Sequence, residues 1–261
     1  MALAPDLSIV IPAYNEELRL ERTVRDAVEY FRATRPSFEL IVVDDGSRDE
    51  TSGLVRRLSD QLPEVRLIRL AANHGKGYAV RTGVVNSQGR LVLFADADGA
   101  TPFAEIERLE GALDDGADLA IGSRALQARG VQVKAKLYRH LIGRIFHWLV
   151  ESLTVRGVKD TQCGFKIFRS SVAHDLFSRM RMSGFSFDVE VLVMARRRGY
   201  RIAEVPVNWT HQPGSKVRLT VDSMQMAADL VRIRTLCMRG EYETPHVARW
   251  GQVVEADTRL S

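Results

Sequence analysis

The densest chemistry in the chain lies in Leu91-Val92-Leu93-Phe94-Ala95-Asp96-Ala97-Asp98-Gly99-Ala100-Thr101-Pro102, an apolar run that ends in two acids one residue apart. Side chains alternate along a strand, so Asp96 and Asp98, at i and i+2, leave the core on the same side. Two parallel carboxylates repel unless a cation neutralises them. Hard oxygen ligands suit Mg²⁺ or Mn²⁺, and most naturally a metal ion that also holds a phosphate. An Asp-x-Asp taken alone fits a solvated turn better than a metal site, so its surroundings have to decide.

Three other polar runs follow apolar ones. They are Pro12-Ala13-Tyr14-Asn15-Glu16-Glu17, Asp44-Asp45-Gly46-Ser47 and Asn73-His74-Gly75-Lys76-Gly77. A carboxylate such as Asp45 can accept from the ring N–H of uracil or guanine, and Tyr14 can stack on the base. In the third run, two glycines let backbone approach a ligand and open a helix N-terminus. Its spacing matches neither the Walker A loop nor a Gly-x-Gly-x-x-Gly turn. Basic residues collect elsewhere. From Arg124 to Val150 there are six (Arg124, Arg129, Lys134, Lys136, Arg139 and Arg144) and no Asp or Glu, which exceeds the net charge of +4 for the whole chain. Such a segment faces something anionic if it faces anything. Nucleic acid is disfavoured, because the basic run is interleaved with a wide aliphatic stripe and lacks a recognisable reading module.

The elements that must carry these groups alternate. Leu7–Ile11, Phe38–Asp44, Val65–Leu70, Leu91–Ala95 and Asp118–Ile121 read as buried strands of a mostly parallel sheet. Helices are predicted between them at Glu16–Ala33, Glu50–Leu62, Lys76–Ser87 and Pro102–Asp115, with Ser47 and Glu50 as a capping box and Pro102 at a first helical position. Repeated βαβ winding places a nucleotide-type crevice at the carboxyl ends of the strands, where the polar runs lie. Downstream, Lys134–Leu153 reads as an amphipathic helix, followed by a polar loop and the run Gln162–Arg169. A helix at Phe187–Arg198, a strand at Ile202–Val207 and a helix from Val221 to about Cys237 complete the pattern.

With 261 residues and no Pro- or Gly-rich linker, the sequence predicts one α/β domain over 1–241 and a frayed tail over 242–261. No stretch reaches the roughly 18 apolar residues of a membrane span, and Met1–Asp6 holds no secretory core, so an intracellular, non-spanning protein is expected. Cys163 and Cys237 lack metal-ligand spacing and read as reduced, buried thiols.

Taken together, Ser8-Ile9-Val10-Ile11-Pro12-Ala13-Tyr14-Asn15-Glu16, Ile41-Val42-Val43-Asp44-Asp45-Gly46-Ser47, Asn73-His74-Gly75-Lys76-Gly77 and Asp96-Ala97-Asp98 resemble the family 2 glycosyltransferases of GT-A fold. Ile121-Gly122-Ser123-Arg124 and Asp160-Thr161-Gln162-Cys163-Gly164-Phe165-Lys166 sharpen the likeness toward the dolichyl-phosphate β-glucosyltransferase branch, beside the polyprenyl-phosphate mannose synthases. The resemblance implies that Pro12, Tyr14, Glu16, Asp45 and Lys76 hold the donor nucleotide-sugar. It also implies that Asp96 and Asp98 face ribose and diphosphate and bind the metal, and that Arg124, Arg139, Ser215 and Lys216 meet an acceptor phosphate. Two positions depart from the mannose synthases: Ala100 stands where they carry Gln, and Gly143 where they carry Ser one turn after the residue matching Arg139.

The expected reaction is inverting, metal-dependent transfer of a hexose, glucose before others, from a UDP-sugar to a polyprenyl or dolichyl phosphate. Asp98, Arg124, Asp160 and Lys166 would be the catalytic set. A phosphate acceptor is already ionised, so a general base is less needed, and Asp160 could orient the donor sugar. The alternatives are a GDP-mannose-dependent synthase, transfer to a soluble hydroxyl with Asp188 or Asp160 as base, and a catalytically silent nucleotide-sugar sensor. A lipid acceptor further implies peripheral attachment at the cytoplasmic face of a membrane, with Lys134–Leu153, including Phe146 and Trp148, lying in the interface.

Overall fold

The structure, a computed structural model, describes residues 4–128, 131–134, 157–212, 219–243 and 253–256. Strands β1 (Leu7–Ala13), β2 (Phe38–Asp44), β3 (Val65–Leu70) and β4 (Leu91–Ala95) alternate with helices α1 (Leu20–Thr34), α2 (Thr51–Gln61) and α3 (Lys76–Val85). A short 3-10 turn (Phe103–Glu105) and α4 (Ile106–Asp114) lead into β5 (Leu119–Ser123). Beyond it come β6 (Val133–Lys134), β7 (Phe165–Arg169), α5 (Ser170–Arg179), α6 (Phe187–Arg197), β8 (Ile202–Pro206), β9 (Trp209–Thr210), α7 (Leu219–Met238) and β10 (Val253–Ala256).

Eight strands form one sheet in the order β10-β3-β2-β1-β4-β7-β5-β8. The pairs β2·β3, β1·β2, β1·β4 and β5·β8 are parallel, while β7 runs antiparallel between β4 and β5, as β10 does beside β3. The strand order turns at β1, which has β2 on one side and β4 on the other, and a crevice opens at the carboxyl end of such a switch point. Period two explains why the strands are apolar on both faces. Ile9, Ile11, Leu40 and Val42 join α1, α2 and α4 in one core, while Val10, Ile41 and Val43 join α3, α5, α6 and α7 in the other.

Several boundaries differ from those the sequence predicts. Helix α1 starts at Leu20, not Glu16: Asn15 takes φ +54°, the Glu16 N–H donates to Thr51 Oγ1 at 2.8 Å, and residues 17–19 turn. The capping box at Ser47 and Glu50 does not form. Ser47 Oγ instead accepts the Asn15 N–H at 2.9 Å, and the Thr51 N–H is met by Asp49 at 3.0 Å. Helix α5 follows β7 without an N-cap side chain to announce it. Part of the segment read as a frayed tail, Val253–Ala256, pairs with β3 and adds an edge strand. The predicted helix Lys134–Leu153 lies outside the described residues except for Lys134, whose backbone belongs to β6 and pairs with Thr210.

Candidate active site

The carboxyl ends of β1 to β5 bring the polar runs to one edge. Asp96 follows β4 directly, and its N–H donates to Gly164 O at 3.0 Å while its Oδ1 lies 2.7 Å from Lys76 Nζ at the head of α3. Gly164 is required by this approach, since a Cβ there would fall 1.9 Å from Asp96 Oδ2. Asp98 Oδ1 accepts the Ala100 N–H at 3.0 Å. Burial and then the neighbouring Asp96 push the Asp98 carboxyl above its ordinary range, which is the repulsion anticipated for paired acids. For Lys76, burial works against the charge, but Asp96 and then Asp188 outweigh it and raise its pKa.

Two carboxylates at a cleft suit a divalent cation that completes its shell with substrate phosphate and water, the habit of Mg²⁺ in particular. No group of three or more His, Cys, Asp or Glu side chains able to hold a metal occurs among the described residues, so any site here depends on the phosphates. The donor set therefore fits a metal-diphosphate better than a resident structural metal. Beside Asp98 opens a cleft of about 730 Å³ lined by Asn15, Glu16, Arg19, Arg48 and, from the second half of the chain, Gln212, within the size range of ligand sites.

The other residues expected on the donor side sit around this edge in different states. Pro12 is buried in β1 opposite Val43, and Tyr14 is half-buried. Glu16 is buried and accepts from Arg19 Nη2 at 2.8 Å. Asp45 is buried too, and its oxygens accept the N–H groups of His74 and Gly75, each at 2.8 Å. Burial pushes Asp45 up to about 6, and those two N–H groups restrain the rise. Asp45 thus holds the Asn73–Gly77 loop whatever else it binds. Gly75, at φ +104°, fits where a Cβ would meet Ser183 O at 2.6 Å.

Strands β5 and β7 supply the second group. Arg124 donates to Asp160 three times, from its backbone N (2.9 Å) and Nε (2.7 Å) to Oδ2 and from Nη2 (2.7 Å) to Oδ1, while its guanidinium lies 5.5 Å from the Trp209 ring. Burial opposes the Arg124 charge, but Asp160 outweighs it and, with a smaller contribution from Asp96, holds the guanidinium above its ordinary value. Asp160 lies below the usual carboxylate range: burial alone would raise it, and Arg124 reverses that. Lys166 is almost fully buried, its ammonium 2.6 Å from Cys163 O and 2.5 Å from Asp188 Oδ1, and 5.7 Å from the Phe94 ring centroid. It is therefore turned inward beneath the Asp96 edge, whereas Lys76 reaches Asp96 itself. Arg139, Ser215 and Lys216 lie outside the described residues.

Sequence reasoning did not single out Glu204 or Trp209. The signal for Glu204 was an acid inside the apolar run Ile202-Ala203-Glu204-Val205-Pro206, and that for Trp209 was a bulky aromatic just past it.

The family model for glycosyl transferase family 2 matches residues 8–177. A dolichyl-phosphate β-glucosyltransferase of Homo sapiens is 40% identical over 249 residues, covering 90% of this chain and 77% of that protein. One of Saccharomyces cerevisiae is 38% identical over 254 residues, covering 90% and 76%. In fold, the chain is similar to glucosyl-3-phosphoglycerate synthase from Mycobacterium tuberculosis, solved with Mn²⁺, UDP-glucose and phosphoglyceric acid. The TM-score is 0.63 at 19% identity, over 93% of this chain and 81% of that one. Paired acids at a sheet switch point, the matched residues and the curated relatives agree: the chain belongs to glycosyl transferase family 2.

Proposed function

We propose that the protein is an inverting, metal-dependent transferase that moves glucose from UDP-glucose to dolichyl phosphate or a related polyprenyl phosphate at the cytoplasmic face of a membrane. The observation that carries this reading is the meeting of two opposite charge sets at one edge. Asp96 and Asp98 leave β4, and Arg124 leaves β5, two strands joined through β7, whose preceding residue Gly164 accepts the Asp96 N–H. The names of the curated relatives support the acceptor and the sugar, and the solved complex of similar fold supports UDP and a divalent metal.

A divalent cation bound by Asp96 and Asp98 would neutralise charge on the departing diphosphate. Lys76, already against Asp96, adds positive charge to the same edge without needing to move far. Arg124 offers the acceptor phosphate a planar fork whose orientation Asp160 fixes, which suits an oxyanion better than a mobile ammonium. The phosphate oxygen attacks the anomeric carbon as the diphosphate leaves from the opposite face, and because it is ionised at neutral pH no side chain has to remove a proton. Lys166 contributes from below, holding through Cys163 O the turn whose Gly164 receives Asp96. Arg139, Ser215 and Lys216 complete the phosphate site on the strength of the resemblance.

No helix among the described residues is long and apolar enough to cross a membrane. Attachment is assigned to the Lys134–Leu153 segment, where basic residues near an anionic surface contribute about 1 kcal/mol each and weaken as salt screens them. The test is a screen of UDP- and GDP-sugars for transfer of label into an organic-soluble lipid fraction, run with salt-dependent sedimentation on anionic liposomes. UDP-glucose with a polyprenyl phosphate should give the product, and Phe146→Asp with Trp148→Asp should reduce sedimentation. Transfer from GDP-mannose in preference, or product only in the aqueous phase, overturns the assignment.

A further inference from the structure

We propose that Glu204, in the middle of β8, is a positioning residue for Arg124 and acts through Asp160. The inference rests on the reading of Arg124 as a ligand of the acceptor phosphate and adds the residue that sets its aim. Glu204 Oε1 accepts from Ser123 Oγ at 2.7 Å and from the Asp160 N–H at 2.8 Å, while Oε2 accepts from the Lys159 N–H at 2.9 Å. These donors sit on the two segments that build the Arg124 site: Ser123 immediately precedes Arg124 at the end of β5, and Lys159 and Asp160 form the turn that receives its guanidinium.

The geometry explains why a carboxylate is needed. The turn has no strand partner for the N–H groups of Lys159 and Asp160, and a group left unpaired there would pull the turn away toward water or another acceptor. An ionised carboxylate has enough lone pairs to take three donors at once, and its hydrogen bonds are the stronger, charge-assisted kind. With the turn fixed, Asp160 presents both oxygens to one edge of the Arg124 fork and accepts its backbone N–H as well, so the guanidinium is held at two points and the residue at three. Trp209, five residues after Glu204, lies against the same guanidinium, so one stretch of chain supplies both the remote anchor and a direct contact. The parallel register of β5 and β8, which pairs Ile121 with Glu204 and Ser123 with Pro206, fixes the distance from anchor to target.

Glu204 does not touch Arg124, so its loss should loosen aim rather than remove charge. Glu204→Gln keeps shape and one oxygen but places an amide donor where an N–H already points. We expect KM for polyprenyl phosphate to rise about tenfold, the scale of a modest misplacement of a binding group. The dissociation constant for UDP with Mn²⁺ should stay within about twofold and the near-UV circular dichroism should be unchanged. Ser123→Ala, which removes one donor and leaves the carboxylate, should move acceptor KM the same way by less, and it serves if Glu204→Gln fails to fold. Arg124→Lys is measured alongside. If Arg124→Lys raises acceptor KM while folded Glu204→Gln, or Ser123→Ala in its place, leaves it at the wild-type value, the positioning role is overturned and the acceptor reading stands. If Arg124→Lys itself leaves acceptor KM unchanged, the acceptor reading fails and this inference fails with it.

Discussion

The edge built from β1 to β4 and the edge built from β5 to β9 both hold charge at the mouth of the sheet, and they do so by opposite means. On the first, Asp96 keeps a third of its side chain exposed and pairs with Lys76, while Asp98 Oδ1 accepts one backbone N–H, that of Ala100. On the second, the charges are held in pairs: Lys166 with Asp188 is sealed at 2% and 4% exposure, and Arg124, itself a third exposed, is tied to the buried Asp160 through three hydrogen bonds. Open, under-coordinated carboxylates suit a ligand that arrives with its own cation. Pre-paired cations suit a site that must keep one orientation while its ligand comes and goes.

That contrast predicts different failures. Breaking the sealed pair should cost the fold most: Lys166→Met leaves Asp188 as an unpaired buried charge, with an expected loss of about 3–5 kcal/mol in urea unfolding, and Lys166→Met with Asp188→Leu should recover much of it. Equal stability of the single variant and wild type would show that the pair is not truly desolvated. On the open edge the fold should survive and the chemistry should not. Asp98→Ala is expected to lower kcat by about 10²–10³-fold with an unchanged melting temperature, and excess chelator should silence the wild type until Mn²⁺ or Mg²⁺ is restored. Full turnover in chelator would remove the metal from the mechanism.

Two smaller effects sharpen the boundary between the halves. Gly164 belongs to the second half yet shapes the first, so Gly164→Ala, whose Cβ would collide with Asp96, should cut activity by about 10–100-fold and weaken Mn²⁺ binding while the Arg124 side keeps its affinity for acceptor. Unchanged Mn²⁺ affinity would show that Asp96 can rotate freely. Glu190 tests the packing beneath the Gly75 loop. It is buried, accepts from the N–H groups of Arg181 (2.9 Å) and Met182 (2.8 Å) and from the Tyr242 hydroxyl (2.8 Å), and burial pushes it up to about 7 despite those donors. A carboxyl with a raised folded pKa retains in the native state a proton that the unfolded chain loses near its ordinary value of 4.5. Its contribution therefore falls as pH rises from there through about 7 and levels off above. Urea midpoints measured from pH 5 to pH 8 should decline more for wild type than for Glu190→Gln, and parallel profiles would contradict the shift.

The two edges also differ in how far they could be read from the chain. Asp96, Asp98 and Asp45 lie at strand exits and Lys76 at the head of the helix after β3, all within contiguous runs, so repeated βαβ winding places them on one edge. The pairings Arg124 with Asp160 and Lys166 with Asp188 span 36 and 22 residues, and no local pattern encodes them. The same limit explains two errors in the elements. Ser47 and Glu50 have the spacing of a capping box, but a tertiary donor, the Asn15 N–H, takes the Ser47 hydroxyl. Val253–Ala256 has an ordinary strand composition, and only the open side of β3 gives it a partner. Glu204 was legible only as an oddity, an acid in an apolar strand, whose purpose needs the turn at Lys159 and Asp160 to be in view.

The division of labour between the edges is tested most directly by calorimetric titration of UDP with Mn²⁺ into wild type, Asp98→Ala and Arg124→Lys, each also assayed for transfer of glucose to polyprenyl phosphate. The account predicts that Asp98→Ala loses Mn²⁺-dependent UDP binding and transfer together, and that Arg124→Lys binds UDP like wild type yet transfers poorly because acceptor KM has risen. Wild-type UDP binding in Asp98→Ala, or loss of UDP binding in folded Arg124→Lys, would contradict it.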